Sequence, residues 1–439
     1  MSFEINEPPF RLVHQTLCIR EVNFEKHSLF GFVDINLKAT RFPLEKVTLN
    51  CRHSRLYRVC LNGSRQVSFD YRDPTLLVCP DDIKQRNLDY FCGAYMQAIE
   101  ATNFDIGNGE LSFTVPYDMR AEVERSEELA VRIEFSLESK NAGVHFVNSP
   151  SLVPKQTNKP TCENKQRIIR HKHMFTYYYE NCNKLWFPHV DSPLMPCTWR
   201  VEVTVPNDLL AICSGELLDV VEYESGNLLT FIYHVDIPVC ANKIGIVVGD
   251  FEMMPDQKSS EITHFCSPGL SAALTSTVEN VVDCIEFLEQ HLSSRLPFQQ
   301  FKTVFVEEAF TQCLPFAGMC IGSVALLHTE KIIDQVPHTL RKFTTPIRKD
   351  ELNINRVVNS TSHISSSPLR LLGHAIASQF FGCFIASASW SDSWTVFGIS
   401  KYIAAQFEKE IFGLNEYLYS VRETIRKVFV SINFSENST

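Results

Sequence analysis

The chain has 439 residues, of which 44% are hydrophobic and 21% charged, and its formal net charge is −10. That length allows two or three domains with sizeable cores, and the acidic balance argues against a globally basic nucleic-acid binder while leaving room for a local basic patch. No run of about 18 apolar residues occurs, and the N-terminus MSFEINEPPFRLVHQ lacks an apolar signal core, so neither a membrane span nor secretion is expected. The 15 cysteines contain no Cys-x-x-Cys pair and read as reduced, buried small apolar residues of a cytosolic or nuclear protein.

Apolar and polar residues alternate through the first half. Val33 to Leu37, Leu129 to Phe135 and Val201 to Val205 each predict a half-buried strand. Two apolar runs flank Ser225-Gly226-Asn227, which predicts a hairpin. Residues 1–252 therefore predict an antiparallel β domain. A flexible loop of about 149–174 interrupts it, beginning with the proline-rich SPSLVPKQTNKPTCEN.

The pattern changes near residue 253. Ser276-Thr277-Val278-Glu279 reads as a capping box, followed at helical spacing by Val281, Val282, Ile285, Leu288 and Leu292. FKTVFV, 301–306, reads as a strand, whereas 369–382 and 399–412 read as helices. Leu414, Leu418, Val421, Ile425 and Val428 make an apolar stripe on a further helix. Residues 253–439 thus predict a mixed α/β domain, with a flexible insertion of about 338–367.

The stretch LLGHAIASQFFG, 371–382, has the frame of a zinc-protease helix without its polar residues. Such a helix needs His-Glu-x-x-His: two imidazoles one turn apart bind zinc, and the glutamate activates the zinc-bound water. Here His374 holds the first position, Ala375 replaces the base and Ser378 replaces the second histidine. One imidazole is a single ligand, and alanine cannot move a proton. Read alone, His374 is a satisfied core or cleft histidine. His363 and Cys383 lie nearby, but their spacing does not favour a replacement site.

The chain resembles the gluzincin aminopeptidase family. LWFPHVDSP (185–193) is similar to the family's FPCxDEP segment, and IVVGDF (246–251) to its VGDF strand. FAGMCI (316–321) stands where the family has Gly-Ala-Met-Glu-Asn, HAIASQFFG (374–382) where it has HELAHQWFG, and SDSW (391–394) where it has WNDLW. The resemblance implies an α+β multidomain fold: a β-saddle-like N-terminal domain, then a thermolysin-like α/β domain truncated on its C-terminal side. The family's third zinc ligand lies nineteen positions after the second histidine, which is Phe397 here, and the amine-anchoring glutamate is Cys320. The oxyanion tyrosine would come after residue 439. The resemblance therefore implies no metal, no cofactor and a pseudo-aminopeptidase.

YYENCNKLWFP (178–188) with PCTWRVEV (196–203) resembles one branch of the family in particular: the aminopeptidase-like, TBP-associated subunits of the general transcription factor TFIID. That resemblance implies a nuclear scaffold that contacts TBP and other TBP-associated subunits and supports core-promoter recognition. Lys165, Arg167, Arg170 and Lys172 in one segment, and Arg341 and Lys342 in another, are candidate DNA-phosphate contacts. Alternatives are a divergent zinc aminopeptidase and a non-cleaving peptide-binding module walled by Phe316, Met319 and Phe381.

Overall fold

The computed structural model describes residues 8–73, 109–138, 143–152, 168–178, 186–223, 226–328 and 368–436, with isolated positions between 89 and 97. Strands are numbered in chain order. An eight-stranded sheet runs β13 (Glu216–Glu222), β14 (Leu228–Val239), β11 (Cys197–Pro206), β1 (Phe10–Asn23), β2 (Ser28–Ala39), β8 (Glu128–Leu137), β4 (Ser54–Leu61), β5 (Arg65–Val67). A three-stranded sheet runs β3 (Lys46–Leu49), β7 (Leu111–Thr114), β6 (Phe69–Tyr71). A four-stranded sheet runs β12 (Leu210–Cys213), β15 (Ile246–Gly249), β10 (Ile168–Thr176), β9 (Val144–Leu152).

Alternation explains these strands. Val33, Ile35 and Leu37 on β2, and Val201, Val203 and Val205 on β11, are fully buried on one sheet face. One pairing departs from the antiparallel expectation: β1 runs parallel to β11, with His14 opposite Thr198 and Ile19 opposite Val203. A helix also interrupts the strands, α1 (Tyr117–Ser126), which seats Met119 and Val123 in the same core. The loop expected at 149–174 is in part sheet. β9 and β10 pair from Leu152 opposite Ile168 back to Val144 opposite Thr176, because their backbone groups find each other even where prolines punctuate the sequence. Residues 153–167 lie outside the described residues, as does the predicted 338–367 insertion.

A five-stranded sheet begins at residue 252: β16 (Glu252–Pro255), β17 (Ile262–Cys266), β18 (Phe301–Val306), β20 (Met319–Ser323), β19 (Cys313–Phe316). Its inner pairs are parallel and its outer pairs antiparallel. One face packs against α2 (Ser271–Val278), α3 (Val281–Leu292), α4 (Pro368–Phe380) and α5 (Ser393–Phe412). The other face packs on the four-stranded sheet through Val147, Phe175, Val304 and Phe316.

The expected capping box is absent. Ser276 is buried in the last turn of α2, its hydroxyl back-bonded to Ala272 O at 3.4 Å, and a turn at Glu279–Asn280 interrupts the helix before α3 starts. Apolar spacing runs unbroken through that junction, so it conceals two helices in one pattern. A last helix, α6 (Leu414–Glu436), packs on α5. Its stripe of Leu414, Leu418, Val421 and Ile425 faces solvent. No described helix is long and apolar enough to cross a membrane.

Candidate functional site

Helix α4 presents two faces. On the sheet side Ala375, Ile376, Ala377 and Phe380 are buried in the core beneath the helix, together with Cys320 of β20. Gln379, fully buried, latches the helix to the β19–β20 turn. Its Oε1 accepts from the Gly318 amide at 2.9 Å, and its Nε2 donates to Ala375 O at 3.1 Å. Glycine is required in that turn: Gly318 has φ +68°, and a Cβ would sit 2.9 Å from Gln300 O. Beside the turn, Lys302 is buried with its ammonium donating to Gly215 O and lying 4.8 Å from the Tyr233 ring centroid. Burial lowers its pKa to about 8. These contacts tie the β region to the α/β region.

The other face of α4 carries the positions where the family resemblance places zinc chemistry. His374 Nε2 lies 3.1 Å from Ser400 Oγ on α5. Its ring meets Phe397 edge-to-face, with centroids 4.8 Å apart. The Lys401 ammonium sits 4.4 Å from the Phe397 ring centroid. Burial, with a smaller contribution from Lys401, holds the His374 pKa down at about 4, so the imidazole is neutral at pH 7. The Ser378 hydroxyl is committed to His374 O at 2.7 Å, the back-bond that a helical serine makes to its preceding turn.

This donor set does not fit a catalytic zinc ion. Zinc takes three protein ligands in such sites. Here one imidazole is engaged by a serine, the second position offers a hydroxyl turned to backbone, and the third is a phenyl ring. Among the described residues no three His, Cys, Asp or Glu side chains are grouped so as to hold a metal. Cys320 is completely buried, and its hydrogen bond with Cys313, together with burial, pushes its thiol pKa well up, so it offers no charge to a substrate amine. Sequence reading missed Ser400. It stands one turn beyond Phe397 on α5, which was its only signal.

The expected peptide-cleft walls separate. Phe316 and Met319 face the four-stranded sheet, on the side of the five-stranded sheet away from α4, and only Phe381 packs with the α4 core. Lys165, Arg167, Arg341 and Lys342 fall outside the described residues, and Arg170 is placed only as backbone within β10. Lys172 is exposed on β10, opposite Asn148. Within the described part of the LWFPHVDSP segment, from Trp186, the residues Phe187, His189 and Asp191 are buried, and His189 bridges to Asn50. The twelve described cysteines are free and ten of them are buried.

No family profile matches the chain. It is 38% identical over 420 residues to transcription initiation factor TFIID subunit 2 of Danio rerio, an alignment covering 96% of this chain and 32% of that protein. It is 21% identical over 240 residues to human aminopeptidase RNPEPL1, covering 55% of this chain and 28% of that one. Its fold matches native leukotriene A4 hydrolase from Saccharomyces cerevisiae with a TM-score of 0.65 at 15% identity, over 96% of this chain and 53% of that chain. The chain is thus a relative of the TFIID subunit 2 proteins built on the aminopeptidase fold, and it spans about a third of their length.

Proposed function

We propose that this chain is a non-catalytic scaffold element of TFIID, acting in the nucleus to support core-promoter recognition and assembly of the RNA polymerase II pre-initiation complex. The observation that carries this reading is the α4–α5 contact. In a chain similar to TFIID subunit 2 over nearly its whole length, the metal face is closed by Ser400 and Phe397 around one neutral histidine. An aminopeptidase fold that keeps its latch and lacks its ligand set has packing left to offer and no hydrolytic water to activate. Its exposed apolar helices α5 and α6 also suit assembly into a larger body.

The test is recovery of the tagged chain from nuclear extract at moderate salt, with co-purifying proteins identified by mass spectrometry. TBP and several TBP-associated subunits are the expected companions. Their absence from a soluble, intact preparation would overturn the reading. A parallel assay addresses catalysis: the purified chain should hold no stoichiometric zinc and release no amino acid from aminoacyl amides. Core-promoter DNA contact is part of the same proposal, and Lys172→Ala in the assembled complex should shallow the salt dependence of DNA binding by about one charge.

Non-cleaving peptide binding is the second reading. One observation favours it, an aromatic recess lined by Phe175, Tyr177, Tyr178, Phe310 and Leu314 beside edge strand β19.

A further inference from the structure

We propose that Cys313 and Cys320 are a redox-sensitive dithiol, a modification site that a hydroperoxide converts to a disulfide across the β19–β20 hairpin. The strand register brings the two together. Phe316 pairs with Met319, Pro315 with Cys320, Leu314 with Ile321 and Cys313 with Gly322, so the cysteines are diagonal neighbours. Side chains alternate along a strand, which puts both cysteines on one side of the sheet. Both pack in the core beneath α4, whereas Leu314 and Ile321, between them, belong to the core on the other side. Diagonal side chains start farther apart than directly opposite ones. Here the residue opposite Cys313 is a glycine, so Cys313 leans across without meeting a side chain at the partner position, and the two thiols are hydrogen-bonded.

Burial divides the roles. Cys320 is completely buried and Cys313 is partly exposed, so a peroxide arriving from solvent meets Cys313 first. The Cys313 sulfur attacks one peroxide oxygen and the O–O bond breaks. That oxygen stays on sulfur as a sulfenic acid, and the other leaves with the thiol proton, as water when the oxidant is hydrogen peroxide. The Cys320 sulfur then attacks the Cys313 sulfur. The S–O bond breaks, and a second water leaves with the Cys320 proton. The two sulfurs together lose two electrons, and one hydrogen peroxide is reduced to two waters. Closure draws β19 toward β20, and among the described residues β19 pairs with β20 alone, so it can shift. Disulfides formed in a reducing compartment are mostly transient and redox-sensing. This one ties the hairpin whose Gly318 turn is gripped by Gln379 of α4, so oxidation stiffens that attachment.

The test exposes the intact, reduced chain to a low molar excess of hydrogen peroxide, blocks the remaining thiols with an alkylating agent and digests without reduction. Mass spectrometry should find a peptide linked through Cys313 and Cys320 that a thiol reductant separates, and hydrogen exchange in β19 should slow while the link is present. Cys313→Ser should abolish the link. Cys320→Ser should leave the sulfenic acid on Cys313, where a 1,3-diketone traps it in higher yield than in the wild type. If Cys320→Ser fails to fold, Cys320→Ala replaces it with the same expectation. Cys313 and Cys320 remaining free thiols in the folded chain, whether or not other cysteines are oxidised, would overturn the proposal. So would a link from Cys313 to another cysteine, a Cys313–Cys320 link that forms only in denaturant, or a link that leaves exchange in β19 unchanged.

Discussion

The two faces of α4 lie a few ångströms apart and are held by different physics. On the sheet side a glutamine satisfies a buried glycine amide and small residues fill a dry core, so each group answers to its neighbours. On the α5 side His374 meets the fully buried Ser400 and the edge of a half-exposed phenylalanine, through one hydrogen bond and one ring contact. Packing constrains a position by everything around it, whereas ligand chemistry constrains it only while a ligand is bound. A fold can therefore keep the first face intact after the second has changed its residues.

Substitutions can break that comparison, beginning where the largest effect is expected. Trp199 is fully buried in the β core with its indole N–H on Val239 O at 2.9 Å, so Trp199→Ala should lose about 3–5 kcal/mol in denaturant unfolding. This sets the scale for a true core position.

His173, between the four- and five-stranded sheets, accepts the Glu307 amide at 3.2 Å and is held by burial at a pKa of about 4. The unfolded chain takes up this proton near pH 6.5 and the folded chain does not. Its contribution is therefore intact above pH 6.5 and declines, by up to about 3 kcal/mol, as pH falls to about 4. Thermal melts of His173→Gln and wild type at pH 7 and pH 5 should show a smaller drop in the variant.

Gln379→Leu strands the buried Gly318 amide and should cost about 1–3 kcal/mol. Phe397→Ala, across the helix, removes one edge-to-face contact of a half-exposed ring and should cost only about 0.5–1.5 kcal/mol in the same unfolding assay. If Phe397→Ala were the costlier of the two, the contrast between the faces of α4 would fail. The smallest effect belongs to the exposed Lys258–Asp283 pair at 2.7 Å, where Lys258→Ala should change stability by less than about 1 kcal/mol.

Some of this was legible in the residues alone. Period-two alternation at 33–37, 129–135 and 201–205 marks β2, β8 and β11, because a strand with one wet face must alternate. Helical spacing marks α3 and α4, and so places positions 374, 375 and 378 on one helix before any coordinate is seen. Alternation is identical for parallel and antiparallel neighbours, however. The parallel β1–β11 pair, which joins strands more than 170 residues apart, is therefore settled only in the assembled sheet.

Tertiary structure also decided which residues meet. Ser400 becomes the partner of His374 because α5 folds back along α4, and Phe316 and Met319 part from the cleft because successive strand residues point to opposite sides of their sheet. Exposure followed the same rule. The apolar stripe expected on the last helix, α6, faces solvent, as do the apolar residues of β13. Periodicity reports which side of an element is apolar, and only the packing of other elements determines whether that side is covered.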